Sequence, residues 1–276
     1  MQALSQLPER LVRYRPADNK FLDAELKNLA EGNVFLQKLS CQNDGTEGKP
    51  QLLKCSTAEL IDLSRRLIRG AGRRLGSSHE LCQVGTNRAS ARAYLANRRK
   101  WQGKFISIAP EHIRIACFSN SVKDNEKYMW RKYGSNGRGF RLLFDFDQNA
   151  SSYGNSFWAK VHYSQPRDRR KISEAELIAA EFQVNGADIF SDVPEQWIGI
   201  LQAFAACKPQ KWEEEDELRL IKFSLSPSLE AEDSYFALPA FNLSGVTFGW
   251  NIDRVLAKKV KQALGDSLAY SFQQAL

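Results

Sequence analysis

Hydrophobic and polar residues alternate along several stretches of the chain, and apolar residues recur at every third or fourth position along others. Alternation predicts β-strands, because successive side chains of a strand point to opposite faces. In residues 11–16 this pattern places Arg13 and Arg15 on one face and Tyr14 on the other. The predicted strands cover residues 11–16, 34–39, 105–108, 113–118, 139–146, 158–163, 212–223 and 245–249.

Helical spacing of apolar residues predicts a second set of elements. Ser56 and Glu59 form the capping-box pattern, in which each side chain bonds the backbone of the other residue, and they mark the start of one helix. The predicted helices cover residues 21–30, 56–69, 80–101, 194–207 and 252–264, and another begins at residue 173. Strands and helices follow each other without regular alternation, which predicts an α+β fold in a single domain over residues 1–276.

The stretch from Trp212 to Arg219 reads W-E-E-E-D-E-L-R and leads into the apolar run L-I-K-F. On a strand, Glu215, Glu217 and Arg219 share one face. Charged residues there have two interpretations: an exposed acidic edge that blocks aggregation between strands, or two carboxylates directed into a cleft. We favour the second, because a strand that only packs carries Val or Thr at such positions.

The composition narrows the class of protein. A hydrophobic content of 43% and a charged content of 26% are typical of a soluble globular domain, and no apolar run approaches the roughly 18 residues that span a bilayer. The first residues do not resemble a signal peptide. Five cysteines without a C-x-x-C pair, and three isolated histidines, predict reduced thiols in a cytoplasmic protein without a bound metal.

Positive charge is concentrated in one segment. Of the net charge of +7, residues 65–104 contribute +10, with eleven Lys and Arg against Glu80, so the remainder carries −3. A solvated helix face is one interpretation. Solvated faces mix both signs, however, so we favour a phosphate-rich partner, with single-stranded RNA preferred because its bases are accessible. The candidate nucleic-acid-binding residues are Arg65, Arg66, Arg69, Arg73, Arg74, Arg88, Arg92, Arg98, Arg99 and Lys100.

Short motifs along nearly the whole chain resemble, in the same order, those of a large bacterial family of unknown function. The motifs are an aromatic-Arg strand, N-D-x-x-E, C-F-S, M-W-x-x-Y followed by Gly, and K-x-x-x-W-x-x-E-x-E-x-R. The matching residues are Tyr14, Arg15, Asn43, Asp44, Glu47, Cys117, Phe118, Ser119, Met129, Trp130, Tyr133, Gly139, Lys208, Trp212, Glu215, Glu217 and Arg219. Gly45-Thr46 replaces the family's Pro-Phe. Residues 50–104 have no counterpart and are interpreted as an inserted basic helical segment.

The order of an aromatic-basic strand, a strand that ends in serine and a late E-x-E strand more distantly resembles ADP-ribosyltransferases, including bacterial and phage-defence toxins. That resemblance implies a mixed, split central sheet, NAD as the substrate, and a neutralising antitoxin as a partner. It implies that Glu217 is the essential carboxylate, assisted by Glu215. The residues expected to contact NAD are Tyr14, Arg15, Asn43, Asp44, Ser119, Trp130 and Tyr133.

The chemistry of NAD cleavage agrees with these roles. Breaking the bond between ribose and nicotinamide passes through an oxocarbenium-like state, which a fixed carboxylate such as Glu217 stabilises. Glu215 is placed to orient or deprotonate the acceptor. Trp130 and Tyr133 either stack on the rings of NAD or pack in the core, and Ser119 either holds the ribose or ends a strand.

Two other functions remain open. The chain is alternatively a non-enzymatic module that binds nucleic acid through residues 65–104, with the two glutamates balancing Arg219 structurally. A second alternative is a magnesium-dependent nuclease that uses Asp44, Glu47, Glu215 and Glu217. No spacing in the sequence specifically supports the nuclease.

Overall fold

The structure is a computed structural model that describes residues 8–42, 50–71, 84, 88–120, 126–146, 156–165, 171–178, 195–223, 235–237 and 241–275. Its helices are α1 Leu22–Ala30, α2 Thr57–Ala71, α3 Arg88–His112, α4 Glu126–Lys132, α5 Glu195–Ala205 and α6 Arg254–Leu264. Within this described part, none of the helices is long and apolar enough to cross a membrane.

The strands are β1 Arg10–Arg15, β2 Asn33–Phe35, β3 Gln37–Lys38, β4 Gln51–Leu53, β5 Ile113–Asn120, β6 Phe140–Phe146, β7 Ser156–Lys160, β8 His162–Ser164, β9 Lys171–Ser173, β10 Cys207–Pro209, β11 Glu217–Phe223, β12 Tyr235–Ala237, β13 Phe241–Phe248 and β14 Ala269–Phe272. The main sheet has the order β14-β13-β6-β1-β5-β11-β7. Its pairs are antiparallel except that of β13 with β14. A mixed sheet flanked by helices confirms the α+β prediction.

One edge of β5 is shared by two different strands. β1 pairs with its end, at Leu11–Asn120 and Val12–Ser119, whereas β3 pairs with its beginning. Between them the side chain of Arg13 donates to the carbonyl of Phe35 at 3.1 Å. Burial lowers the pKa of Arg13 to about 9. The sheet therefore divides along this edge of β5.

Helices cover both faces of the sheet. The α1 face carries Leu218 and Phe118, which pack against apolar residues of α1 and α6 such as Leu26 and Val260. The opposite face, called here the α5 face, carries Ile115 and Ile221 against α5 and the end of α3. On the same side, α4 packs against β1. This alternation on β11 is the one that the sequence predicted.

Several predicted boundaries are wrong. The predicted strand 105–108 belongs to α3, which continues to His112, because Phe105 packs edge-on against Trp197 and Phe204 of α5 and this burial favours a longer helix. The predicted strand 34–39 is interrupted at Leu36, which is buried in the core. The predicted strand 158–163 divides into β7 and β8.

The two basic helices pack together. Leu60 and Leu63 of α2 meet Tyr94 and Leu95 of α3 in one buried cluster. The capping box that begins α2 is formed, since Glu59 donates its backbone N–H to Ser56 Oγ at 3.2 Å and accepts from the Ser56 N–H at 2.7 Å. Their basic residues therefore belong to one helical pair.

Candidate functional site

The site is built where β5 ends and β11 begins. In the antiparallel register Ser119 lies opposite Glu217, and Cys117 lies opposite Arg219. Directly opposed residues of an antiparallel pair project from the same face, and here that is the α5 face. Two of the motifs that are far apart in the sequence, C-F-S and E-x-E-x-R, therefore meet on adjacent strands.

Glu217 is a buried carboxylate with two cationic partners. It accepts from Arg219 Nε at 2.8 Å and Nη2 at 3.1 Å, and Lys208 Nζ lies 2.7 Å from its Oε2. Burial by itself raises the pKa of Glu217, but Arg219 and Lys208 outweigh it, with a hydrogen bond from Cys117, and lower the pKa to about 2. The carboxylate is ionised at neutral pH.

Arg219 connects this carboxylate to the end of a helix. Its guanidinium is fully buried, and Nη1 donates to the carbonyl of Ala205 at 2.6 Å. Ala205 is the last residue of α5, where carbonyls have no partner within the helix and attract cations. Arg219 thereby fixes Glu217 relative to the helix that covers the α5 face.

Glu215 is not on the strand, and the prediction that it shares a strand face with Glu217 is wrong. It ends a 3-10 helix, Gln210–Glu215, and Asp216 follows in a left-handed conformation at φ +39°. The run of acids lacks the alternation of a strand, and the left-handed residue turns the chain into β11. Glu215 is nevertheless buried, so its carboxylate also belongs to the interior.

The Glu215 carboxylate accepts from three donors, one on β10 and two at the end of α4. Lys208 Nζ lies 2.7 Å from one oxygen, while Lys132 Nζ and the Tyr133 hydroxyl donate to the other at 2.5 and 2.6 Å. Lys208 therefore bridges Glu215 and Glu217, and the charges alternate from Lys132 to Arg219. We call the five residues Lys132, Lys208, Glu215, Glu217 and Arg219 the charge network.

Two tyrosines complete the network as neutral hydrogen-bonding groups. Burial and the hydrogen bond to Glu215 raise the pKa of Tyr133 above its usual range. Burial and the charge of Glu217 do the same to the pKa of Tyr163, whose hydroxyl accepts from the Glu217 backbone N–H at 2.9 Å. Neither hydroxyl ionises at neutral pH.

Trp130, expected either to stack on NAD or to pack in the core, is fully buried. The ring of Tyr14 meets it edge-on with centroids 5.2 Å apart, and Trp250 lies against it at 5.9 Å. The structure therefore gives Trp130 and Tyr14 the role of core packing. Tyr133, the other aromatic residue of that motif, is only half-buried and contacts the charge network.

Arg15 is not brought to the charge network. By the alternation of β1 it shares the α1 face with Leu11, and it forms an ion pair with Glu25 of α1. Burial alone raises the pKa of Glu25, but Arg15 and Arg13 outweigh it and lower the pKa below its usual range. Arg15 and Glu217 thus lie on opposite faces of the sheet.

The Gly of the M-W-x-x-Y motif has a local explanation. A Cβ on Gly139 would lie 2.0 Å from the carbonyl oxygen of Arg15, so no side chain fits there. The close approach begins the pairing of β6 with β1 at Phe140 and Arg15. The absence of a side chain at Gly139 therefore allows β1 and β6 to approach each other and pair.

The basic residues of α2 and α3 divide into two groups. Arg65, Arg66, Arg88, Arg92 and Lys100 are exposed. Arg99, whose side chain is 42% exposed, differs because it pairs with Glu174, whose carboxylate is fully buried, and donates to the Cys55 carbonyl at 3.2 Å. The guanidinium of Arg98 lies 5.2 Å from the ring centre of Tyr94. Arg99 consequently anchors α3 to the body of the protein, and the exposed group forms the cationic surface.

Some of the predicted site residues lie outside the part that the structure describes. These are Asn43, Asp44 and Glu47, together with Arg73, Arg74 and the side chain of Arg69. Among the described residues, no group of three or more His, Cys, Asp and Glu side chains is placed to hold a metal ion. The Lys208 ammonium lies between Glu215 and Glu217, the two described carboxylates of the nuclease hypothesis.

Sequence reasoning missed the roles of Lys132, Lys208 and Tyr163. Lys208 was part of the K-x-x-x-W motif, and four residues later Trp212 meets the cation of Lys132, with Nζ 3.3 Å from the ring centre. A motif lysine beside two motif glutamates was a usable signal for an ion pair. Lys132 and Tyr163 carried no signal, because their contacts depend on α4 and β8 folding back toward β11.

Comparisons with known proteins are limited to one segment. No curated protein and no solved structure matches the chain. One family model matches a segment of the chain that begins at Met129. This segment contains Tyr133 and every residue of the K-x-x-x-W-x-x-E-x-E-x-R motif. It supports the predicted likeness to a family of unknown function. Over residues 129–220 the chain matches the family described as protein of unknown function (DUF2971).

Proposed function

We propose that this protein is an NAD-dependent ADP-ribosyltransferase whose reaction takes place at the Ser119–Glu217 pair. The observation that carries the proposal is the direct cross-strand pairing of these two residues, next to β1, where the sheet divides along β5. The aromatic-basic strand β1, the serine-bearing strand β5 and the strand β11 that Glu217 begins are then neighbours in space, and it is the order of these motifs along the chain that resembles ADP-ribosyltransferases.

The state of Glu217 suits the chemistry. Because Arg219 and Lys208 hold its pKa near 2, the carboxylate carries its negative charge throughout the physiological range. As the bond between ribose C1′ and the nicotinamide nitrogen breaks, the bonding electrons leave with neutral nicotinamide and positive charge develops on the ribose. A preorganised carboxylate in a buried site stabilises that charge, and such groups typically contribute about 10²–10³ in rate.

The remaining steps use the neighbours of Glu217. Ser119 projects from the same face and holds the ribose hydroxyls by hydrogen bonds. A hydroxyl of the acceptor attacks C1′, and Glu215 takes up its proton. Lys132, whose side chain is 27% exposed, marks where the charge network meets solvent. Arg15 has no part in this scheme, since it lies on the α1 face with Glu25.

The exposed cations of α2 and α3 favour RNA as the acceptor. Arg88, Arg92 and Lys100 lie on α3, and the packing of α3 on α2 adds Arg65 and Arg66 to the same helical pair. A surface of this kind binds phosphates without reading the bases. An enzyme that modifies RNA in this way would act as a toxin or a phage-defence effector and would need a neutralising partner.

The test is incubation of the protein with NAD and measurement of released nicotinamide, with and without single-stranded RNA. We expect release in the presence of EDTA, and transfer of ADP-ribose to the RNA. RNA binding without any nicotinamide release would indicate the binding module instead. RNA cleavage that EDTA abolishes would indicate the nuclease.

A further inference from the structure

Three aromatic side chains surround the ammonium group of Lys132. Its Nζ lies 3.3 Å from the centre of the Trp212 ring, 4.9 Å from that of Tyr133 and 5.3 Å from that of Tyr128. It also donates to the Tyr128 hydroxyl at 3.0 Å, so Tyr128 contacts the ammonium at its hydroxyl edge while Trp212 and Tyr133 offer their rings, and it donates to Glu215 at 2.5 Å. Aromatic faces closed by a carboxylate are the arrangement in which proteins bind organic cations.

We call Tyr128, Tyr133, Trp212 and Glu215 the cage. Its aromatic residues are partly exposed to solvent, whereas the Glu215 carboxylate at its base is buried. Tyr128, Tyr133 and Trp212 are half-buried, whereas Glu215 is 2% exposed and is also held by Lys208. Lys132 reaches the cage from the last turn of α4 on a flexible side chain. The same side chain can therefore leave for water without any movement of the aromatic residues.

We propose that Tyr128, Tyr133, Trp212 and Glu215 form a binding site for an organic cation whose charged nitrogen carries no N–H, and that Lys132 occupies this site until the ligand arrives. A pyridinium ring and a quaternary ammonium group share this chemistry. Both are weakly hydrated, whereas a lysine ammonium is strongly hydrated. Exchange therefore places the weakly hydrated cation on the rings and returns the lysine to water.

The carboxylate explains why the ligand must be charged. Glu215 Oε1 accepts from Lys132 and Tyr133, so departure of Lys132 removes a cationic partner from a buried anion. A cationic ligand replaces that charge, and a neutral ring of the same shape does not. The inference does not rest on the proposed function, because it uses only the composition and geometry of the cage.

The test compares three small probes by calorimetry: 1-methylnicotinamide, which is methylated on the ring nitrogen and is a pyridinium cation, tetramethylammonium, and neutral nicotinamide. The variants are Lys132→Met, which removes the resident cation, and Lys127→Met, which removes an exposed lysine of the same helix as a matched control. We expect at least one cation to bind Lys132→Met ten-fold or more tightly than the wild type or Lys127→Met. Neutral nicotinamide should bind none of them, and Trp212→Leu in the Lys132→Met background should abolish binding.

The preferred probe identifies the source of the ligand. Tighter binding of 1-methylnicotinamide indicates a dinucleotide, and tighter binding of tetramethylammonium indicates a methylated amine. The proposal is overturned if neither cation binds Lys132→Met more tightly than the wild type. If circular dichroism shows that Lys132→Met is unfolded, chemical acetylation of the wild-type protein provides the test. A saturating concentration of the cation must increase the acetylation of Lys132 relative to that of Lys127, and no increase overturns the proposal.

Discussion

Ser119 and Glu217 lie directly opposite each other on β5 and β11, with both side chains on the α5 face of the sheet. They are 98 positions apart in the sequence, so only the antiparallel pairing brings the hydroxyl and the carboxylate together. Arg219 and Lys208 hold the carboxylate ionised in a buried position. This relationship is the basis of the proposed reaction.

Acid should reveal the stability that Glu217 contributes. Its folded pKa of about 2 lies below the ordinary value of 4.5, so the contribution is complete above about pH 4.5 and is lost as the pH falls toward 2. The shift corresponds to about 3 kcal/mol. Urea unfolding between pH 2 and 6 should show a steeper loss of stability for the wild type than for Glu217→Gln. The exposed Glu213→Gln variant is the control, and equal slopes for all three proteins would contradict the assignment.

Removal of Arg15 should destabilise the fold. Arg15→Ala leaves the buried carboxylate of Glu25 without its ion-pair partner, which costs about 3–5 kcal/mol in comparable pairs. The double variant Arg15→Met with Glu25→Leu should recover most of this loss, because both charges are then absent. Chemical denaturation measures both variants. A stable Arg15→Ala protein with weakened NAD binding would restore the role that the sequence suggested for this residue.

RNA binding should depend directly on Arg88, Arg92 and Lys100, the exposed cations of α3. Changing Arg88, Arg92 and Lys100 to Glu is expected to abolish the retention of single-stranded RNA at low salt, while nicotinamide release persists. Lys258→Glu on α6 serves as a control for a change of net charge at an exposed lysine. Arg99→Glu should unfold the helical pair, because it sets a second anion against buried Glu174. Unchanged RNA retention in the triple variant would exclude this surface.

The cysteines should differ sharply in reactivity. Cys41 is exposed, whereas burial and the charge of Glu217 raise the pKa of the Cys117 thiol to about 12. Iodoacetamide at pH 8 should therefore modify Cys41 in the native protein and Cys117 only after unfolding. Mass spectrometry of digested samples measures both. Rapid native modification of Cys117 would mean that the face around Glu217 is more open than the structure shows.

The strands that hold the site were predictable because their alternation is strong. Residues 113–118 and the second half of the Trp212–Phe223 stretch are buried on both faces, and their successive apolar residues join the two opposite core clusters in turn. The capping box at Ser56 was predictable for the same reason, since its pattern is local. Local patterns therefore sufficed wherever one element fixed its own conformation.

Long-range packing decided what the sequence missed. The end of α3 is helical because α5 covers Phe105, and Leu36 interrupts a strand because it fills the core. Glu215 reaches the charge network from a 3-10 helix, whereas the sequence interpretation placed the whole acidic run on one strand. Arg15 was associated with Glu217 by motif order alone, and only the alternation of β1 within the sheet separates them.

The most direct test of the proposed reaction is single-turnover release of nicotinamide from NAD by the wild type and by Glu217→Gln, with each protein's fold checked by circular dichroism. Gln keeps the shape of the side chain and removes its charge. We expect release by the wild type and a loss of about two orders of magnitude or more in folded Glu217→Gln. Release by folded Glu217→Gln at the wild-type rate, or none from the wild type, would contradict the proposed reaction.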